Sequence, residues 1–200
     1  MLLSFFLWNV YDEESSADSV IAKQVADSSL KVTASGEPIK SLNNYWNFDT
    51  ALKVLSENDY DSLNNDEKLY ACSLYRLWMG AMQIPGLNSG VEDEKVFKEI
   101  VAVKDGFNYI FTVGVDKEKM EMGFFLRKIE NEFKIVDMLI NGQQLGKQLG
   151  ANFVKMKKGN VNLLMFLESV LYGQLKDNIK TRERLSKKSV EKPSTTPTPK

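Results

Sequence analysis

The sequence contains no histidine and a single cysteine, Cys72. Without histidine the chain lacks the commonest general base near neutral pH and the commonest zinc ligand. A lone cysteine forms no intrachain disulfide, and its apolar surroundings, LYACSLYRLW, predict a small buried core residue rather than a reactive thiol. We also find no phosphate-binding glycine loop, no Cys/His metal cluster and no nucleophile elbow. The sequence therefore predicts neither an enzyme nor a bound metal or cofactor.

A large net charge is also missing, because 26 Lys and Arg face 27 Asp and Glu, for a formal charge of −1. Nucleic-acid-binding proteins normally carry a basic excess that neutralises phosphates, so we expect no nucleic-acid partner. What is present is a chain of 200 residues that is 43% hydrophobic. That length and composition are typical of one globular domain with a sizeable core.

The N-terminus carries an apolar run from Leu2 to Val10, LLSFFLWNV, that is too short to span a bilayer, which needs about 20 residues. It is similar to the apolar core of a secretory signal, and the small residues Ser15, Ser16 and Ala17 offer a cleavage site. However, no Lys or Arg precedes the run, and three acidic residues follow it. A signal that begins further upstream and an apolar segment packed on the domain both remain open, and we favour export.

The chain divides into three parts by composition. Residues 1–17 are the possible signal or N-terminal apolar segment, and residues 18–186 are a single α+β domain. Residues 187–200 are rich in Pro, Thr and Lys and read as a disordered tail.

Apolar periodicity and capping residues predict several helices. They run from Ser15 to Leu30, from Phe48 to Asn58, from Asn65 to Met82 and from Leu145 to Lys157, and a last helix follows a capping Asn160. Pro85 and Gly86 are expected to end the third helix, and Gly146 and Gly150 to weaken the fourth.

A period of two residues predicts four β-strands between the helices. They are Lys95 to Lys104, Phe107 to Val115, Glu121 to Ile129 and Glu132 to Ile140. Asp105-Gly106 is a type I′ hairpin signal, Glu130-Asn131 indicates a short turn, and Asn141-Gly142 is expected to end the sheet. The short connections predict an antiparallel four-stranded meander with N-terminal helices and two C-terminal helices packed around it.

Apolar residues occur on both faces of the predicted strands, which indicates that much of the sheet is covered twice. Helices can cover one face, and the other must meet more helices, another subunit or a ligand cavity. Our candidates for the lining of an apolar cavity are Trp46, Leu52, Trp78, Phe111, Phe124, Leu126, Phe153 and Leu164. A well-packed core without a cavity would show the same composition.

Asp137 is the notable polar residue, because it lies in the apolar strand segment KIVDMLI. A carboxylate there needs hydrogen-bond partners or a raised pKa. It is either a general base that faces a cavity or a structural group bound to a nearby helix N-terminus or turn amide, and we favour the structural role.

Two segments resemble the MlaC-type periplasmic phospholipid carriers, also called toluene-tolerance proteins. In Phe48 to Trp78, the residues Asp49, Leu55 and Glu67 fit that family's Phe-Asp start, its Leu before a polar linker and its Glu-led helix. In Phe133 to Phe153, the fitting residues are Val136, Asp137, Gly142, Leu145 and Phe153. The chain departs from the family at Phe133, Gln144 and Leu149-Gly150, where Trp, Ser and Tyr-Arg are usual.

The resemblance implies a periplasmic carrier that holds a phospholipid, or another apolar ligand, between the sheet and the helices. It also implies membrane-anchored components of a transporter as partners, and no catalytic group. Two other functions remain open from the residues. One is an NTF2-like small-molecule-binding domain or enzyme with Asp137 in its pocket, and the other is a protein–protein interaction module.

Overall fold

A single antiparallel sheet with helices packed around it forms the fold in a computed structural model of the chain, which describes residues 2–35, 39–56, 58–82, 96–115 and 118–190. The helices in these ranges are α1 (Leu2–Ser35), α2 (Phe48–Ser56), α3 (Asn58–Asp61), α4 (Asn65–Ala81), α5 (Leu145–Lys157) and α6 (Leu163–Val190). The strands are β1 (Val96–Val103), β2 (Gly106–Val115), β3 (Glu118–Ile129), β4 (Glu132–Ile140) and β5 (Gln143–Gln144). A short 3-10 helix, Ile39–Asn44, leads into α2.

Among the described residues the sheet has five strands, in the order β1-β2-β3-β4-β5, and each is antiparallel to its neighbours. The α+β class and the meander are therefore confirmed, and the count of four strands is wrong. The fifth strand follows Asn141-Gly142, which does not end the sheet. Both residues have positive φ, 49° and 75°, as in a type I′ turn, and the turn brings Gln143 back against Ile140. Glu130-Asn131 forms the expected short turn, with φ of 49° and 67°.

The first hairpin turns one residue earlier than the sequence predicted. Gly106 already pairs with Val103, so the turn consists of Lys104 and Asp105, and of these only Asp105 has a positive φ, 68°. Gly106 is needed for a different reason, since a Cβ there would lie 2.0 Å from the carbonyl oxygen of Leu126 on β3.

The predicted helices at 65–82 and 145–157 correspond closely to α4 and α5. A capping box starts α4, because the Asn64 side chain accepts from the Glu67 amide and the Glu67 carboxylate accepts from the Asn64 amide, each at 3.0 Å. The predicted cap of α6 was wrong. Asn160 has a left-handed φ of 64°, and Asn162 Oδ1 accepts from the Met165 amide at 2.9 Å instead. Pro85 and Gly86 lie outside the described residues.

Helix α1 is longer than the predicted helix at 15–30, since it starts at Leu2 and ends at Ser35. The sequence between these residues contains neither Pro nor Gly, so nothing interrupts it. Its buried residues Ala22, Ala26 and Ser29 recur every three or four positions, and small side chains let the helix approach the sheet closely. Within the described ranges, no helix is long and apolar enough to cross a membrane.

Coverage of the sheet differs from strand to strand. On β3 and β4 both faces are buried, with Phe124 and Met138 on one side and Phe125 and Leu139 on the other. Strand β1 instead is largely exposed, including apolar residues such as Val101. The expectation of two covered faces therefore holds for the centre and for the β4 side, and fails at the β1 edge.

Helices α2 and α5 pack closely because α5 has glycine at the contact. A Cβ on Gly150 would lie 2.5 Å from the carbonyl oxygen of Leu55, and a Cβ on Gly146 would lie 3.0 Å from Asp137 Oδ2. The two glycines that weaken α5 as an isolated helix are thus the residues that let it reach α2 and β4.

Candidate functional site

A row of aromatic rings runs from β1 across the sheet to α4, and we call it the aromatic row. Neighbouring ring centroids lie 5.2 to 6.3 Å apart, within the range of favourable aromatic pairs. In order, its members are Phe97, Tyr109, Phe111, Phe124, Trp46, Phe48, Tyr75 and Trp78. The row therefore joins the sheet and the helices into one apolar interior.

Strand geometry places the sheet members of the row. Alternate residues of β2 point to the same face, which puts Tyr109 and Phe111 together, and Tyr109 pairs with Phe124 of β3. Trp46 reaches them because its segment pairs with Ile135, on the edge of β4 where β5 covers only Leu139 and Ile140. Ile135 donates its amide to the Tyr45 carbonyl at 2.8 Å and accepts from the Asn47 amide at 2.9 Å.

Two polar atoms of the row, the Tyr109 hydroxyl and the Trp46 indole nitrogen, are bound to α1. The Tyr109 hydroxyl donates to Asp27 at 2.5 Å, and Lys23 pairs with Asp27 at 2.8 Å. Burial, followed by the bond to Asp27, raises the pKa of Tyr109 well above its usual range. Lys23 Nζ lies 4.5 Å from the ring centroid of Phe97, and the Trp46 indole donates to Ser29 at 3.3 Å. The β1 end of the row thus carries a cation beside an apolar interior.

A cavity of about 550 Å³ opens where α2 and α4 meet the row, and we call it the α2–α4 cavity. Its walls combine two rings of the row with polar and charged side chains: Asn43, Trp46, Asn47, Phe48, Asp49, Asn65, Lys68, Leu69, Cys72, Ser73 and Arg76. Two cations, Lys68 and Arg76, face one anion, Asp49. An aromatic floor with a cationic rim suits a molecule that has an apolar part and an anionic part.

Asp49, Tyr60 and Cys72 form a small polar cluster beside this cavity. The Tyr60 hydroxyl donates to Asp49, and Cys72 Sγ lies 3.4 Å from that hydroxyl and 3.6 Å from Asp49 Oδ1. Burial raises the pKa of the Cys72 thiol and favours its protonated form, which is a poor nucleophile. Cys72 is half-buried and lines the cavity, so it is more accessible than the sequence predicted.

The structure brings three of the cavity candidates, Trp46, Phe111 and Phe124, into direct ring contact. Trp78 ends the same row. The others lie elsewhere in the core. Leu52 and Leu126 are fully buried, Phe153 packs on Phe166 at 5.3 Å between α5 and α6, and Leu164 is half-buried against the core.

Sequence reasoning missed four members of the row, Phe48, Tyr75, Phe97 and Tyr109. Signals existed for two of them, because Tyr75 precedes Trp78 by one helical turn and Tyr109 shares a strand face with Phe111. The link between Phe48 and Trp46 depends on the pairing with Ile135 and has no local signal.

Asp137 lies at the junction of β4 and α5, where its side chain is 1% exposed. Its Oδ1 accepts from the amides of Met138 and Gly146 at 2.8 Å each, so it caps the first turn of α5, where Gln144 makes no side-chain cap. Burial raises its pKa from 3.8 to about 6, although both amides lower it. It does not line the α2–α4 cavity.

Neither a family model nor a curated protein matches the sequence. Among solved structures, the fold is similar to that of a phospholipid-binding protein from Ralstonia solanacearum, solved in complex with a phospholipid. The TM-score is 0.60 with 12% sequence identity, and the match covers 79% of this chain and 98% of that chain. At this identity the likeness establishes the fold, and it agrees with the fold that the sequence resemblance implied.

Proposed function

We propose that this chain binds a phospholipid, or a similar amphiphile, in its apolar interior. The observation that carries the proposal is the shared fold, which extends over 98% of a protein solved with a phospholipid bound. The aromatic row and the α2–α4 cavity support it, because together they offer apolar rings beside a cationic rim.

Acyl chains would supply most of the binding free energy. Each CH₂ removed from water contributes about 0.8 kcal/mol, so a few polar contacts suffice at the head group. Lys68 and Arg76 at the rim of the α2–α4 cavity are candidates for those contacts. Arg76 donates to Asn43 at 3.1 Å, which holds its guanidinium beside the opening.

We further propose that the protein is a non-enzymatic carrier that is exported to the periplasm and exchanges its ligand with membrane-anchored transporter components. The apolar run from Leu2 to Val10 supports export. Cell fractionation of the full chain, followed by N-terminal sequencing, tests it. Recovery in the cytosolic fraction with an uncut N-terminus would contradict export and leave the binding proposal standing.

Native mass spectrometry with organic extraction, on protein purified without detergent, tests the binding proposal. We expect a co-purified phospholipid at about one per chain. Phe48→Leu alters the row at the cavity and should lower the bound fraction. Phe166→Leu is the matched control, since it shortens a buried ring outside the row and outside the cavity lining. An apo mass with no lipid in the extract contradicts the proposal, as does an equal loss in both variants.

A second candidate function, an interaction module, is favoured by exposed apolar side chains on α4 and α6. Tyr70 donates to Glu168 at 2.8 Å, so the exposed faces of the two helices adjoin. Leu77 on α4 and Tyr172 on α6 are 48% and 69% exposed, and Ile179 is 59% exposed. Association of two copies through this face would give a dimer mass in the same spectra.

A further inference from the structure

A second cavity, of about 460 Å³, lies on the sheet face opposite the aromatic row. Asn108 and Phe125 line it, and both point away from the row because their strand neighbours Tyr109 and Phe124 belong to it. Residues of α2 and α5 close the cavity on the β4 side. We call it the Arg127 pocket.

Positive charge dominates the walls of the Arg127 pocket. Lys104, Arg127 and Lys147 line it together with a single acidic residue, Asp105. Arg127 and Asp105 form an ion pair at 3.9 Å, a distance that is too long for a hydrogen bond. The chain as a whole has a net charge of −1, so these cations form a local excess.

Two buried polar atoms at this pocket have no hydrogen-bond partner among the described residues. They are Arg127 Nε, a donor, and Gln144 Oε1, an acceptor. The guanidinium of Arg127 is positioned over the ring of Phe125, 5.4 Å from its centroid. Because buried donors and acceptors are normally paired, these two atoms indicate groups that a ligand can satisfy.

Helix α5 adds to the positive electrostatic potential of the Arg127 pocket. Gln144 immediately precedes α5, and Lys147 lies in its first turn, where the helix dipole favours anions. No acidic residue occupies that first turn, and of its amides the one of Gly146 already donates to Asp137 of β4. Apolar walls from Val54, Val103 and Leu139 complete the pocket.

We propose that the Arg127 pocket binds a phosphate ester that also carries a hydroxyl or amino donor. The planar guanidinium suits the oxygens of a phosphate, and Gln144 Oε1 accepts from the donor group. The proposal is independent of lipid binding in the aromatic row, because the two sites lie on opposite faces of the sheet. Such an ester can be a free metabolite or part of a lipid head group.

Titration of the full chain, followed by two-dimensional amide and arginine-Nε NMR, tests the proposal. The probes are inorganic phosphate, glycerol 3-phosphate and dihexanoyl-phosphatidylglycerol. We expect saturable shifts at Arg127 Nε and Gly142, with glycerol 3-phosphate binding more tightly than phosphate. If only dihexanoyl-phosphatidylglycerol binds in the pocket, the natural ligand is a lipid head group. If glycerol 3-phosphate binds as tightly as that lipid, the natural ligand is a free phosphate ester.

Arg127→Gln should weaken binding by about tenfold or more, since it removes a charge-assisted pair. Lys155→Gln is the matched control, because Lys155 is exposed on α5 and does not line the pocket. Arg127→Lys, which keeps the charge, should show an intermediate loss of affinity. Such a graded loss separates a weakened ligand contact from a folding defect. Absence of saturable shifts at these positions overturns the proposal, as does unchanged affinity in a folded Arg127→Gln.

Discussion

Replacing Asp137 by Asn tests the electrostatics of the junction between β4 and α5. Asp137 is 1% exposed, its Oδ1 accepts from two backbone amides, and its Oδ2 has no hydrogen-bond partner among the described residues. Burial raises the pKa of Asp137 from 3.8 to about 6. Asn keeps an acceptor for the amides of Met138 and Gly146 and cannot ionise. The variant therefore removes the titration and retains the cap.

The sign of the effect follows from where the proton is held. Between the two pKa values, the folded protein binds a proton that the unfolded chain has lost, so raising the pH favours unfolding. The stability that protonated Asp137 contributes is fully present below about pH 4 and is lost as the pH rises through about 6. The whole shift corresponds to about 3 kcal/mol, of which about 2 to 3 kcal/mol falls between about pH 4 and about pH 7.

Urea unfolding of both proteins over that pH range measures the effect. The difference between wild type and Asp137→Asn cancels the other titrating groups, and we expect the wild type to lose about 2 to 3 kcal/mol relative to the variant as the pH rises. Asp137→Ala should destabilise at every pH by about 2 to 4 kcal/mol, because two buried amides lose their acceptor. A difference in the free energy of unfolding that does not depend on pH would refute the reasoning. If the wild type instead becomes more stable relative to Asp137→Asn as the pH rises, the pKa of Asp137 is lowered in the folded state.

Three further predictions concern single packing and capping features. Asn64→Ala removes the capping box of α4 and should lower the free energy of unfolding by about 1 kcal/mol in urea titrations; no change would mean that the box is not formed in solution. Gly150→Ala should cost about 1 to 3 kcal/mol, because its Cβ would lie 2.5 Å from the Leu55 carbonyl oxygen. Its control, Gly173→Ala in α6, has no atom within 4 Å of the added Cβ and should raise the melting temperature; equal effects would contradict the contact. Phe124→Ala should cost about 3 to 5 kcal/mol and reduce the near-ultraviolet circular dichroism of the row, and a loss under about 1 kcal/mol would contradict its central place.

Local patterns predicted most of the fold. The period of two residues found the four longer strands, and Asn-Gly at 141–142, taken as the end of the sheet, is also the strongest hairpin signal. The fifth strand was missed because its two residues, Gln143 and Gln144, show no period of their own. The start of α1 was missed for a similar reason, since its apolar first turns have no periodic stripe.

The sites were less predictable because they depend on contacts between distant residues. Trp46, Phe111 and Phe124 were recognisable as large aromatics on plausible faces, and Asp137 as an acid in an apolar strand. The sequence predicted that Asp137 binds a helix N-terminus or a turn amide. Nothing local shows that the helix is α5, which starts eight residues later, or that Arg127 faces Lys147 across a cavity. Both arrangements depend on the register of the strands and on how α5 packs against the sheet.

The pairing of Trp46 with Ile135 has a consequence for the order in which the protein assembles. The indole belongs to the first quarter of the chain, and the strand that holds it in place is synthesised much later. Closing so long a loop costs entropy that only the completed sheet offsets. A ribosome that has released the N-terminal helices has therefore not yet completed the aromatic row, and the apolar interior closes only when β4 has joined the sheet.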